Sequence, residues 1–182
     1  IVRMLKKKGM FENTIIVVTS DHGEEFNEHG RRFHGKQLFE ESILVPLIIH
    51  VPGAPKVLVE TPVSLIDIPE TIAHFTGLPP GPDYGGVSLA GLMDGQELPA
   101  GRSIFSDCVK GANKNRRRSI AMITDKRKLI YEPTRQRMKL FDLSTDPDEK
   151  KDLRGSPSPI FKADLARFRR EIDRQNDSIL AQ

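Results

Sequence analysis

Two runs of β-branched and aliphatic residues dominate the first third of the chain. Thr14-Ile15-Ile16-Val17-Val18 is the first, and Leu44 to Val51 the second, with Pro46 near its start and Pro52-Gly53 at its end. The first, an unbroken apolar run, predicts a strand buried on both faces, as in a parallel sheet; the second predicts a strand that tolerates Pro46 near its start or at an edge. Ahead of them, Ile1 to Gly9 carries apolar residues on one face, lysines at its end and a glycine stop, which predicts the end of a helix. Its abrupt, uncapped start is the pattern expected of a fragment. Residues 61–77 predict a strand or turn entering a short helix, with Pro69 in the first turn and Gly77 closing it. Residues 23–38 are polar and punctuated by glycine, and predict a long functional loop.

Residues 78–101 are rich in proline and glycine and predict a surface connection. Beyond it the period changes. Short strands are predicted at 103–107, 119–124, 128–131 and 139–142, separated by turn or charged segments, so this part reads as antiparallel. A last helix over about 159–180 places Ile160, Phe161, Leu165, Phe168, Ile172 and Ile179 near helical spacing, with Arg and Asp opposite. The expected division is therefore an α/β part over residues 1–100 and a small antiparallel subdomain with a C-terminal helix over 101–182.

At 182 residues and 37% hydrophobic content, the chain can bury one sizeable core. No apolar stretch is long enough to span a membrane. Charge is uneven: residues 1–100 hold 8 basic and 13 acidic side chains, and residues 101–182 hold 20 and 12. A basic second half can meet an anionic polymer. Its Lys and Arg are nevertheless interleaved with acids and lack aromatic partners, which argues against nucleic acid. Arg116-Arg117-Arg118 can neutralise an anion, although such a run more often forms a solvated loop. The single cysteine, Cys108, excludes an internal disulfide and reads as a buried structural thiol.

The candidate chemistry follows the first apolar run, in Thr19-Ser20-Asp21-His22-Gly23-Glu24. Ligands of open α/β sheets collect beyond the carboxyl ends of strands, where Asp21 and His22 emerge. A carboxylate beside an imidazole suits Mn2+ or Zn2+, and Ca2+ when the other ligands are oxygen. The bare dipeptide fits equally well an acid capping the next turn beside an exposed histidine. Lys36, flanked by glycine, can meet a tetrahedral oxyanion as a point charge. His34 can protonate a departing oxygen, since imidazole titrates near neutral pH. Both read equally as solvated loop side chains. His29 is a weaker candidate, one of Glu40 and Glu41 is expected to support the site while the other stays solvated, and His50 and His74 are expected to be structural.

Four segments, in order, resemble the C-terminal half of the sulfatase family within the alkaline phosphatase superfamily. They are Asn13 to Glu24; His34-Gly35-Lys36 through Phe39-Glu40-Glu41 to Ile49; Val63 to Ile72; and Lys128-Leu129 with Leu140-Phe141-Asp142-Leu143-Ser144-Thr145-Asp146-Pro147-Asp148-Glu149. The resemblance implies the C-terminal part of an alkaline-phosphatase-like α/β sandwich, followed by a small antiparallel sheet and a C-terminal helix. It implies that Asp21 is a metal-coordinating acid and that His22 takes the neighbouring ligand position, where many sulfatases have asparagine. A histidine there is similar to phosphonate monoester hydrolases and some bacterial sulfatases, and leaves the substrate class open. Lys36 resembles the family lysine that contacts the sulfate and the leaving oxygen, and Asp67 resembles a structural acid.

The family nucleophile, a formylglycine made in a Cys/Ser-x-Pro-x-Arg motif, is expected upstream of Ile1. Cys108 is followed by Val109-Lys110-Gly111 and does not match that motif. The implied function is metal-dependent hydrolysis of sulfate esters, on a small-molecule or glycan substrate, with Lys36 catalytic; His34, in the same turn but without a firm family role, is the second catalytic candidate, as the acid for the departing alcohol. One divalent cation is implied, calcium first, with Mn2+ or Zn2+ as alternatives. The partner is the upstream half of the same chain, without which these residues are expected to be inactive, and family habit places the protein in the periplasm or outside the cell. The nearest rival is a phosphate or phosphonate ester hydrolase, or a phosphoryl transferase, on the same scaffold. A rival of another class is a non-catalytic domain whose basic half binds an anionic polymer.

Overall fold

The computed structural model describes residues 1–79, 81, 85–110, 117–155 and 159–180, the side chains of 110, 117, 159–161 and 173–180 excepted. It separates into two compact units, Ile1–Asp21 with Val45–Arg102, and His22–Leu44 with Ser103–Gln182. The polar segment 22–44 thus groups with the C-terminal sheet and not with the strands that flank it in sequence.

In the first unit, helix α1 (Val2–Lys7) leads through a 3-10 turn (Phe11–Asn13) into strand β1 (Ile16–Thr19). β1 pairs with β4 (Leu47–His50) in a two-stranded sheet, Ile16 opposite His50 and Thr19 opposite Leu47. The pairing is antiparallel, which corrects the parallel sheet predicted from the first apolar run. An unbroken β-branched run reports apolar material on both faces and carries no information about strand direction. Val18 and Ile48, opposite each other in this pairing, are 51% and 61% exposed.

Helix α3 (Asp67–Thr76) forms where predicted, with Pro69 in its first turn and acids Asp67 and Glu70 beside the unpaired N–H groups. Gly77 ends it at φ 66, a left-handed conformation that favours glycine. The connection after α3 contains an unpredicted four-residue helix, α4 (Ala90–Met93).

Asp67 is the hub of this unit. It is fully buried, and its carboxylate accepts hydrogen bonds from the Ser64 N–H at 2.8 Å, the Val87 N–H at 3.0 Å and Arg102 Nη2 at 2.5 Å. One helical turn further on, Thr71 donates to the Asp67 carbonyl at 2.7 Å and accepts from the Leu89 N–H at 2.9 Å. The α3 N-terminus, the 85–90 segment and Arg102 are tied through two side chains.

The second unit is built on an antiparallel meander of β5 (Ile104–Lys110), β6 (Arg117–Thr124), β7 (Arg127–Glu132) and β8 (Arg137–Asp142). All four predicted strands are present, each a few residues longer. Alternation along β6 to β8 sends side chains to two separate clusters. Ile120, Met122, Leu129 and Leu140 pack with Phe168, and Leu165 and Ile172 join them, all three from helix α5 (Pro159–Leu180). Ala121, Ile130 and Phe141 pack instead with Leu38 and Phe39. A bidentate pair from Arg127 to Asp164 also fastens α5 to β7. Cys108, in β5, is partly buried against the second cluster, and Ile160, Phe161 and Ile179 lie outside the described side chains. No helix among the described residues is long and apolar enough to cross a membrane.

Candidate functional site

Asp21 and His22 follow the last paired residue of β1 by two and three positions, and both are exposed. Gly23 then runs against the backbone of α2 (Glu40–Ile43), its N–H donating to the Ser42 carbonyl at 2.9 Å. A Cβ on Gly23 would overlap the Glu41 carbonyl oxygen, so only glycine allows this approach. The segment predicted as an irregular loop includes a two-residue hairpin, β2 (Glu25–Phe26) with β3 (Arg32–Phe33).

The hairpin brings two of the candidate residues together. The rings of His22 and His34 stack at 4.1 Å between centroids. Glu24 Oε2 lies 3.1 Å from His34 Nδ1, and His22 Nδ1 is 2.8 Å from the Gly23 carbonyl. Lys36, two residues beyond His34, donates from Nζ to the Arg32 carbonyl at 3.4 Å and sits 5.8 Å from the centre of the Phe33 ring. Phe33 is two-thirds exposed and adopts φ 71, an unusual conformation for a bulky residue.

Asp21 and His22 supply a hard oxygen and an imidazole, donors that fit two positions around a divalent cation. Among the described residues no three His, Cys, Asp or Glu side chains converge on one point. These two therefore fit as part of a shell.

Behind the hairpin lie charges that the sequence pattern left unplaced. Glu25 is almost fully buried and accepts from Ser42 Oγ at 2.9 Å and Gln37 Nε2 at 3.2 Å. Lys128, fully buried in β7, places Nζ 2.8 Å from Glu40 Oε1 and 2.9 Å from Glu149 Oε1. The first is a hydrogen bond; the second is a charge contact whose angle does not make one. Glu149 Oε2 accepts the Glu40 N–H at 2.6 Å. Burial away from water, partly offset by Lys128, holds the Glu149 carboxyl above the usual glutamate range. Glu41 is engaged too, 2.7 Å from His29 Nδ1, while the His29 ring stacks on Phe39 at 3.6 Å. Neither Glu40 nor Glu41 is the solvated member of the pair that was expected, because each meets a buried cation or ring. Arg118 is occupied by Asp107, and Arg116 lies outside the described residues.

A family model for sulfatases matches residues 1–78. Arylsulfatase K of Bos taurus is 32% identical over 165 residues, covering 82% of this chain and 29% of that protein. A protein solved in complex with its substrate D-glucosamine-2-N,6-O-disulfate superposes with TM-score 0.78 at 27% identity, over 97% of this chain and 37% of that one. The phosphonate monoester hydrolase of Silicibacter pomeroyi does so with TM-score 0.78 at 25% identity, again over 97% and 37%. The fold is thus the alkaline-phosphatase-like α/β fold, with the small antiparallel sheet and C-terminal helix described above. The chain is similar to the sulfatase family, through the family model over residues 1–78 and through the arylsulfatase over most of its own length. It spans less than a third of the length of the bovine arylsulfatase K.

Proposed function

We propose that these residues form part of the active site of a sulfuric ester hydrolase. The observation that carries this reading is Asp21-His22 directly after β1, with His34 stacked on His22 at 4.1 Å, in a chain similar to the sulfatase family. Asp21 and His22 would hold one divalent cation, calcium first and Mn2+ or Zn2+ as alternatives. Such an ion neutralises charge on the oxygens of the transferring group. Lys36 adds a point charge to that group as the ester bond breaks. Glu24, at His34 Nδ1, orients the ring so that Nε2, on its opposite edge, delivers a proton to the departing alcohol oxygen. The attacking group, a formylglycine, would come from an upstream segment, and the protein would act in the periplasm or outside the cell.

The substrate is a sulfate ester of a small molecule or glycan. A phosphonate or phosphate ester is the second reading, favoured by the histidine at position 22 and by the likeness to the phosphonate monoester hydrolase. Rates of the full-length protein on 4-nitrophenyl sulfate, phosphate and phenylphosphonate decide between them. Sulfate is expected to be the best substrate, and Lys36→Ala to lower kcat about 10²-fold or more. A preference for phosphate or phosphonate above about tenfold, ~1.4 kcal/mol in barrier, overturns the sulfatase reading.

A further inference from the structure

We propose that Lys128, Glu149 and Glu40 form a buried charge clamp that positions the segment bearing His34 and Lys36, so that the C-terminal sheet sets where those two side chains stand. Its catalytic arm rests on the reading above; its structural arm does not.

Lys128 belongs to β7, on the face where Ile130 packs with Leu38 and Phe39. A lysine there interrupts an apolar face and loses all its water, and is tolerated only with anionic partners. Both partners bear on one short stretch. Glu40 opens α2, immediately after the apolar plug Leu38-Phe39 and four residues beyond Lys36. Glu149 comes from the turn after β8 and reaches the same residue through its backbone, taking the Glu40 N–H at 2.6 Å. One residue of the site segment is thus held twice, by side chain and by main chain, across sequence separations of 88 and 109.

The hairpin is secured from the same place. Both ring nitrogens of His29 face acceptors, Glu41 Oε1 at 2.7 Å and the Glu149 carbonyl at 3.2 Å. Lys150 Nζ donates to the Glu28 carbonyl at 3.1 Å. The turn at 149–150 therefore grips both ends of the segment whose middle carries His34 and Lys36. A plain hydrophobic contact between Phe39 and the sheet would leave that segment free to slide. Directional bonds to a buried cation and a buried carboxylate fix it in one place, which is what a lysine aimed at a developing charge requires.

The test uses the full-length protein. Lys128→Met/Glu149→Met removes both charges and the acceptor for the Glu40 N–H while keeping volume, and Glu149→Gln keeps an oxygen for that N–H. For the double variant we expect an unfolding midpoint within about 5 °C of wild type. On 4-nitrophenyl sulfate kcat should fall about tenfold or more, with KM changed less than about threefold. The amides of 36–43 should exchange about tenfold faster than in wild type. Glu149→Gln should restore kcat to within about threefold of wild type. Unchanged exchange at 36–43 with unchanged kcat in the double variant overturns the proposal. If the double variant does not fold, Glu40→Gln is judged on the same two readouts. A wild-type protein inactive on sulfate esters whose variant still shows faster exchange would remove the sulfatase reading and leave the clamp standing.

Discussion

Replacing Asp67 by alanine should be among the most damaging single changes in the first unit, and its cost can be worked from the contacts. The carboxylate is fully buried and accepts from two backbone N–H groups and from Arg102. Its removal strands the Ser64 and Val87 N–H groups, at about 1–3 kcal/mol for each donor left unpaired. It also leaves the Arg102 guanidinium, 14% exposed, without its anion, and losing one partner of a buried pair costs about 3–5 kcal/mol. Among the described residues the buried Arg102 Nη1 has no partner, so Arg102 has little to fall back on. The terms overlap because the groups share one carboxylate, and a total of about 4 kcal/mol is expected. At about 2–4 °C per kcal/mol for a domain of this size, the unfolding midpoint should drop by about 8–16 °C. Asp67→Asn should recover little, since an amide keeps one acceptor oxygen but turns N–H groups toward donors. Thermal and urea unfolding of the full-length protein measure the loss, and hydrogen exchange should rise first at Val87. A midpoint within about 2 °C of wild type for Asp67→Ala would refute the reasoning.

Two further outcomes follow from contacts in the second unit. Gly23→Ala should cost about 1–3 kcal/mol, because its methyl would overlap the Glu41 carbonyl oxygen and push α2 aside; an unfolding midpoint equal to that of wild type would contradict the close approach. The Glu149 carboxyl binds its proton more tightly folded than unfolded, chiefly through burial. Its contribution to stability is full below its ordinary value of 4.5 and is lost as pH rises through the raised folded value. Wild-type stability relative to Glu149→Gln, measured by urea unfolding from about pH 4 to 7, should therefore decline with rising pH, and a difference that grows would show the opposite sign.

Much of this architecture was legible residue by residue. The α3 helix announced itself through Pro69 and Gly77, the C-terminal sheet through four short β-rich runs, and α5 through its apolar spacing. What escaped was information that no local window holds. The antiparallel pairing of β1 with β4 depends on a connection of more than twenty residues, and apolar runs look alike in either direction. Lys128 read as one cation in a charged stretch, because its partners lie 88 and 21 residues away. The adjacency of His22 and His34 arises from a two-residue hairpin too short to leave a strand pattern. One signal was available for the clamp: Lys128 alternates with Ile130 and stands opposite Phe141, and a cation set between apolar neighbours asks for a buried anion.

The lysine in β7 also bears on how the meander finds its pairing. The β6–β7 turn, Asp125-Lys126, has φ of 48 and 62 at its two residues, so the left-handed geometry suited to a tight hairpin is formed there without glycine. Such a turn specifies register less firmly than one with glycine. A shift of β7 by one residue would exchange its faces, carrying Leu129 toward Phe39 and Lys128 in among Leu140 and Phe168, away from Glu40 and Glu149. The aliphatic residues would tolerate the exchange; the ammonium would not. Lys128 would thus count against the misaligned hairpin, which separates it from both of its native carboxylates.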